Sequence, residues 1–151
     1  MFRVAAVLAL LVPIQTAVAQ SYLCTSDMSV GFFFNEEKRS WGPTTFRTIS
    51  VYQVRPLTQK ERYSISYVLS DITSTWGVFK LDDTFPTHRC VDKSLNNTST
   101  NLLCGDPSHG FLFEANSLRF HEHYSGGYSM GIDNNDDTPY IKVGRCRYVQ
   151  P

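Results

Sequence analysis

Residues 118–124 read LRFHEHY, and they sort by parity: Leu118, Phe120 and Tyr124 fall on one face of an extended strand, Arg119, His121 and His123 on the other. A hydrophobic period of two marks a half-buried β-strand. The same period recurs along the chain. Tyr63, Ile65, Tyr67 and Leu69 alternate with Ser64, Ser66 and Ser70. Residues 140–148 repeat a β-branched and aromatic pattern, entered through Pro139 as a first-residue or edge proline allows. Further strands are expected over 22–27, 30–34, 46–54, 76–81 and 111–114, separated by turn-forming stretches at 35–40, 55–61, 82–87, 115–117 and 133–139. Only residues 57–62 could make a helical turn. Eight or nine short strands with regular turns predict an all-β fold, a small antiparallel β barrel or sandwich of about eight strands.

The chain begins with a signal-like segment. Arg3 supplies the charged start, an apolar run follows to Ile14, and Ala17-Val18-Ala19 offers a small-x-small cleavage box. Residues 1–19 are therefore expected to be a signal peptide and 20–151 a single β domain, exported to the periplasm or secreted. The apolar run is too short to span a bilayer. No cysteine follows the cut immediately, as a lipid anchor would need, so no membrane anchor is expected after cleavage. Lys plus Arg and Asp plus Glu number 14 each, and losing Arg3 leaves a net charge of −1. That balance argues against a nucleic-acid partner, which selects a basic face. Lys142, Arg145 and Arg147 form the nearest basic cluster, but Lys142 differs in parity from the two arginines.

Four cysteines allow three pairings. The favoured one joins Cys24 to Cys146, first strand to last, and Cys90 to Cys104 across the polar loop that contains SLNNTSTN (94–101). A structural zinc site is disfavoured because no CxxC pair is present and an exported chain meets oxidising conditions.

The strongest chemical signal is His121 and His123, two residues apart and so on one strand face, as some barrel metalloenzymes present two ligands. Ala115, Gly127 and Tyr128 stand where a cupin-type site would place its glycine and glutamate, and Arg119 on the same face opposes a cation. His88 and His109 fall in turn-like sequence. Asp133-Asn134-Asn135-Asp136-Asp137 starts like a calcium loop, but Thr138 and Gly144 replace its glycine and bidentate glutamate, which favours a polar hairpin loop. No GxSxG signature is present.

The segments YLCTSDMSVGFFFN (22–35) with Trp41, LRFHEHYSGGY (118–128) and TPYIKVGRC (138–146) resemble a group of small exported proteins of Gram-negative bacteria with no assigned activity. That resemblance implies a periplasmic or secreted protein and transfers no catalytic residue. Tyr22-x-Cys24 near the start and Cys146 in the last strand are similar to the β-barrel inhibitors of c-type lysozyme, although this chain is longer and has a second cysteine pair. The expected function is a non-enzymatic, cofactor-free binding or interaction module for an unknown protein or small ligand, with Trp41, Tyr124 and Tyr128 as candidate contacts. The alternatives are a periplasmic inhibitor of a lysozyme-like hydrolase and a metal-dependent enzyme using His121 and His123.

Overall fold

The alternation seen in the sequence closes into a barrel in the computed structural model, which describes residues 20–47, 49–63, 74–92 and 101–150. Its elements run β1 (Ser21–Asn35), β2 (Ser40–Phe46), β3 (Val51–Pro56), α1 (Gln59–Tyr63), β4 (Trp76–Lys80), β5 (His88–Asp92) and β6 (Asn101–Gly105). They continue as β7 (His109–Glu114), β8 (Arg119–Tyr124), α2 (Gly126–Ser129) and β9 (Tyr140–Val149). Every pairing is antiparallel. Eight strands close in the order β1-β3-β4-β5-β6-β7-β8-β9 and back to β1, and β2 is one extra strand hydrogen-bonded to β1.

One long strand stands where two short ones were expected. β1 pairs with β9 along most of its length, while β3 holds its first part at 22–25 and β2 its second part at 29–35. The register slips between Ser26 and Met28. That bulge puts Asp27 and Met28 outside together, so Ser26 and Ser29 can both be buried inside. Beyond the bulge β1 stays paired with β9 as far as Gly31 while β2 joins it from Ser29, and past Gly31 it continues as a hairpin with β2.

The expected strand over 46–54 divides instead into the end of β2 and the start of β3. Pro43 is tolerated in β2 because this strand pairs only with β1 and forms the sheet's edge. β5 and β6, which contain Cys90 and Cys104, carry no alternation long enough to announce them. Tyr63 ends α1, and the remainder of the strand expected over 63–70 lies outside the described residues, as do residues 1–19 and most of the 94–101 loop.

Inside, Phe111 and Phe120 stack with centroids 4.9 Å apart, and Tyr52 meets both edge-on. Gly144 makes room for this: a Cβ there would collide with the Thr25 carbonyl and the Phe120 ring. Both disulfides form as expected, each between directly opposed strand residues, Cys24–Cys146 from β1 to β9 and Cys90–Cys104 from β5 to β6. At the opposite end of the barrel from the hairpin, Tyr22 packs against Trp76, Phe113 and Tyr148.

α1 is fastened by its first turn. Thr58 and Glu61 exchange a capping box, Glu61 Oε2 accepting from the Thr58 amide at 2.7 Å and Thr58 Oγ1 from the Glu61 amide at 3.3 Å. Arg55 holds both Glu61 oxygens at 2.9 and 2.7 Å, and its guanidinium lies 3.8 Å from the Phe79 ring centre.

The two disulfides close chain segments of very different length, with separations of 122 and 14 residues. In the chain-entropy account the longer loop contributes about 5 kcal/mol and the shorter about 3. Urea unfolding of Cys24→Ala/Cys146→Ala should therefore show the larger loss, and equal losses would contradict this account.

Arg55, the largest influence, lowers the Glu61 carboxyl from 4.5 to about 2. A depressed carboxylate contributes stability above its unfolded value, and that contribution disappears as pH falls through the folded one. Thermal melts of Glu61→Gln should fall below wild type at pH 7, and the gap should narrow between about pH 4.5 and about pH 2.

Candidate functional site

Parity on β8 carries more than its histidines. Phe120, Glu122 and Tyr124 share the inward face, and Glu122 is fully buried, in register with Phe111 on β7 and Lys142 on β9. A carboxylate in a barrel core must be surrounded by donors. Glu122 Oε1 accepts from the Tyr140 hydroxyl at 3.1 Å and faces His109 Nε2 at 3.3 Å, with His88 Nε2 at 3.6 Å. Oε2 accepts from the Tyr52 hydroxyl and lies 3.2 Å from the Lys142 ammonium, which is itself 3.3 Å from the Tyr52 oxygen.

These groups set one another's protonation. Burial pushes the Glu122 carboxyl up, but the contacts from His109, His88 and Tyr52 and the Lys142 charge together hold it well below the usual carboxylate range. Burial raises the Tyr52 phenol far above its ordinary value, and Glu122 raises it further. Tyr140 is raised by the same two causes. The result is one buried anion beside two phenols, Tyr52 and Tyr140, that stay protonated at neutral pH.

His88 is the group left over. It is 3% exposed, and its Nε2 has no hydrogen-bond partner among the described residues. The 3.6 Å approach to Glu122 is too long for a hydrogen bond but close enough to act on the carboxylate's charge. Its ring meets His109 edge-on, centroids 4.3 Å apart. All of this sits near the barrel end that carries the β4–β5, β6–β7 and β8–β9 connections, called the mouth below.

The structure places His121 and His123 on the outer face of β8. His121 is exposed, and burial followed by the neighbouring His123 lowers its pKa. His123 Nε2 lies 3.2 Å from the Pro107 carbonyl. Among the described residues the one cluster of three potential metal donors is His88, His109 and Glu122, and it includes neither member of the His-x-His pair. Lys142, whose parity differs from that of the two arginines, points inward while Arg145 pairs outside with Asp27.

Trp41 and Tyr128 come together, 5.8 Å apart and edge-on, with Phe34 5.2 Å from Trp41. Tyr124 lies apart from them at the mouth, between His109 and Tyr140. The 133–137 loop binds this hairpin to the barrel. The Trp41 indole donates to Asp133, the Asn135 amide pairs with both backbone groups of Phe34, and the Tyr124 hydroxyl donates to Asp137. Asn134 accepts from the amides of Asp136 and Asp137. These bonds are those of a polar hairpin loop, as expected from its composition.

Where the hairpin leaves the wall, a groove of about 1050 Å³ opens between Val30, Phe32, Pro43, Ile141, His123 and Tyr140. Val30, Ile141 and His123 are cross-strand neighbours in one outer row. Phe32 and Ile141 are each about half exposed, at 49% and 52%. A second, smaller pocket has the charged residues Asp27, Glu114, Arg119 and Arg145 in its lining.

Comparison with family models, curated proteins and solved structures finds no match. The site therefore stands on its own geometry. Glu122 shares parity with Phe120 and Tyr124, a signal visible in the sequence but overshadowed by the flanking histidines. His88 and His109 carry no such signal: His109 reaches Glu122 from the neighbouring strand β7, and only the curl of the sheet brings β5, three strands away, to the same carboxylate.

Truncating Glu122 leaves Lys142 and two tyrosines without their shared acceptor. Removing one partner of a buried ion pair costs about 3–5 kcal/mol, so Glu122→Ala should lose about that much in urea unfolding. Tyr52→Phe, which removes one donor to an anion, should lose less, about 1.5–3 kcal/mol.

Proposed function

We propose that this chain is an exported, non-catalytic binding module that holds a small, largely apolar ligand in the groove between the β1–β2 hairpin and the outer face of β8 and β9. The single observation behind this reading is the groove itself. Small-molecule sites are concave, mostly apolar and roughly 300–1,000 Å³ in volume, with a few polar groups that orient the ligand. Here Val30, Phe32, Pro43 and Ile141 supply the apolar wall, and His123, Tyr124 and Ser125 stand at its polar end.

Rigidity supports the same reading. The groove wall is fastened to the barrel at Trp41–Asp133 and Phe34–Asn135, and the Phe32 amide donates to the Pro139 carbonyl at 3.0 Å. A preformed site loses little freedom on binding. Export to the periplasm or beyond belongs to this proposal. It draws on the signal-like start and on two disulfides, which persist in oxidising compartments. The described residues contain no helix long and apolar enough to cross a membrane.

A neutral apolar fluorophore, N-phenylnaphthylamine, should bind saturably to the wild-type protein. Val30→Asp/Ile141→Asp should weaken it at least about tenfold, or about 1.4 kcal/mol, with the circular dichroism spectrum unchanged. A folded wild-type protein that gives no saturable signal would refute this function.

A further inference from the structure

We propose that His88, His109 and Glu122 form a binding site for one divalent transition ion of the zinc class at the mouth of the barrel. One potential ligand atom from each of the three residues lies within 4.8 Å of the other two, and both histidines turn Nε2 towards Glu122 Oε1. Ligands about 2.1 Å from a tetrahedral ion stand about 3.4 Å apart. The two histidine-to-carboxylate separations are 3.3 and 3.6 Å. Two imidazoles and one carboxylate oxygen are a donor set that suits zinc and its late first-row neighbours.

A second observation points to the same place. The His88 Nε2 atom is buried, aimed at Glu122 Oε1, and has no hydrogen-bond partner among the described residues. Buried polar atoms are rarely left so, and an ion between the three donors would satisfy this one. Its neighbour His109 is 32% exposed at the side chain. That exposure opens an entry path and a fourth position for water.

The other carboxylate oxygen is already engaged. Tyr52 and Lys142 hold Oε2, which orients the carboxylate so that Oε1 alone faces the histidines. Lys142 also opposes a dication. It therefore limits affinity while keeping the network neutralised when no ion is bound. The outer pair His121 and His123 has no third donor in its cluster among the described residues and serves as the internal control. The assignment does not depend on the groove, since its ligands lie inside the wall.

Tag-free protein, stripped with a chelator and exchanged into clean buffer, is titrated with zinc chloride in a calorimeter and cobalt chloride in a spectrophotometer. One equivalent should bind with micromolar or tighter affinity, and cobalt should give the intense visible bands of low coordination number. His109→Ala should weaken binding at least about tenfold, the lower end of what even supporting residues contribute. His88→Ala should do the same where circular dichroism shows it folded. His109 is partly exposed, so its variant keeps the test valid if His88→Ala does not fold. His121→Ala/His123→Ala should leave binding unchanged, and Lys142→Met should tighten it. Absence of binding to the wild type, or binding that survives His109→Ala and is lost in the His121/His123 double variant, would overturn the proposal.

Discussion

The pairing of β1 with β9 is the constraint on which the rest of this structure depends. It turns an open meander into a closed wall, removes two sheet edges that would otherwise seek partners, and carries the Cys24–Cys146 bridge between opposed residues. It also positions Lys142 opposite Ser29 and Tyr140 opposite Gly31. The β8–β9 register, which sets Glu122 opposite Lys142 and Tyr124 opposite Tyr140, then brings both side chains to the carboxylate. The bulge at Asp27 is part of the same constraint, because it lets β1 keep its inward face while its far half pairs with β2 as well.

Closure also explains how a charged network can sit inside so small a core. A buried carboxylate is tolerable only when its donors arrive together and in good geometry. Here β3 brings Tyr52, β5 His88, β7 His109 and β9 both Tyr140 and Lys142, so five side chains from four strands converge on one residue of β8. The network and the apolar groove are neighbours through Tyr140, whose hydroxyl faces Glu122 and whose residue lines the groove. A binding surface outside and a candidate ion site inside thus share one strand end.

Much of this was legible beforehand, and the reasons differ by residue. Period-two alternation marked β8, whose Phe120 and Tyr124 alternate with Arg119, His121 and His123, while β9 was marked by its β-branched and aromatic composition. The disulfide pairing followed from the expectation that first and last strands meet. β5 and β6 were not legible, since each is five residues long and held by neighbours rather than by its own pattern. Lys142 was read correctly as the odd member of its basic cluster, although its inward partner could not be named. Trp41 and Tyr128 were singled out as possible contacts, and in the structure they pack on each other, with Trp41 bonded to the 133–137 loop.

The amino-acid sequence by itself determined the β class, the approximate strand number and the parity of every residue on β8, and it favoured one of three cysteine pairings, which the structure then selected. These follow from local periodicity and chain order, which need no partner to be read. Only the tertiary structure decided which of the neighbouring residues 121–123 matters most to the core. Glu122 faces inward among donors from four other strands, while His121 and His123 face outward. Parity could separate the two faces, but which of them is the inside depends on how the sheet curls and closes, and that is a property of all eight strands together.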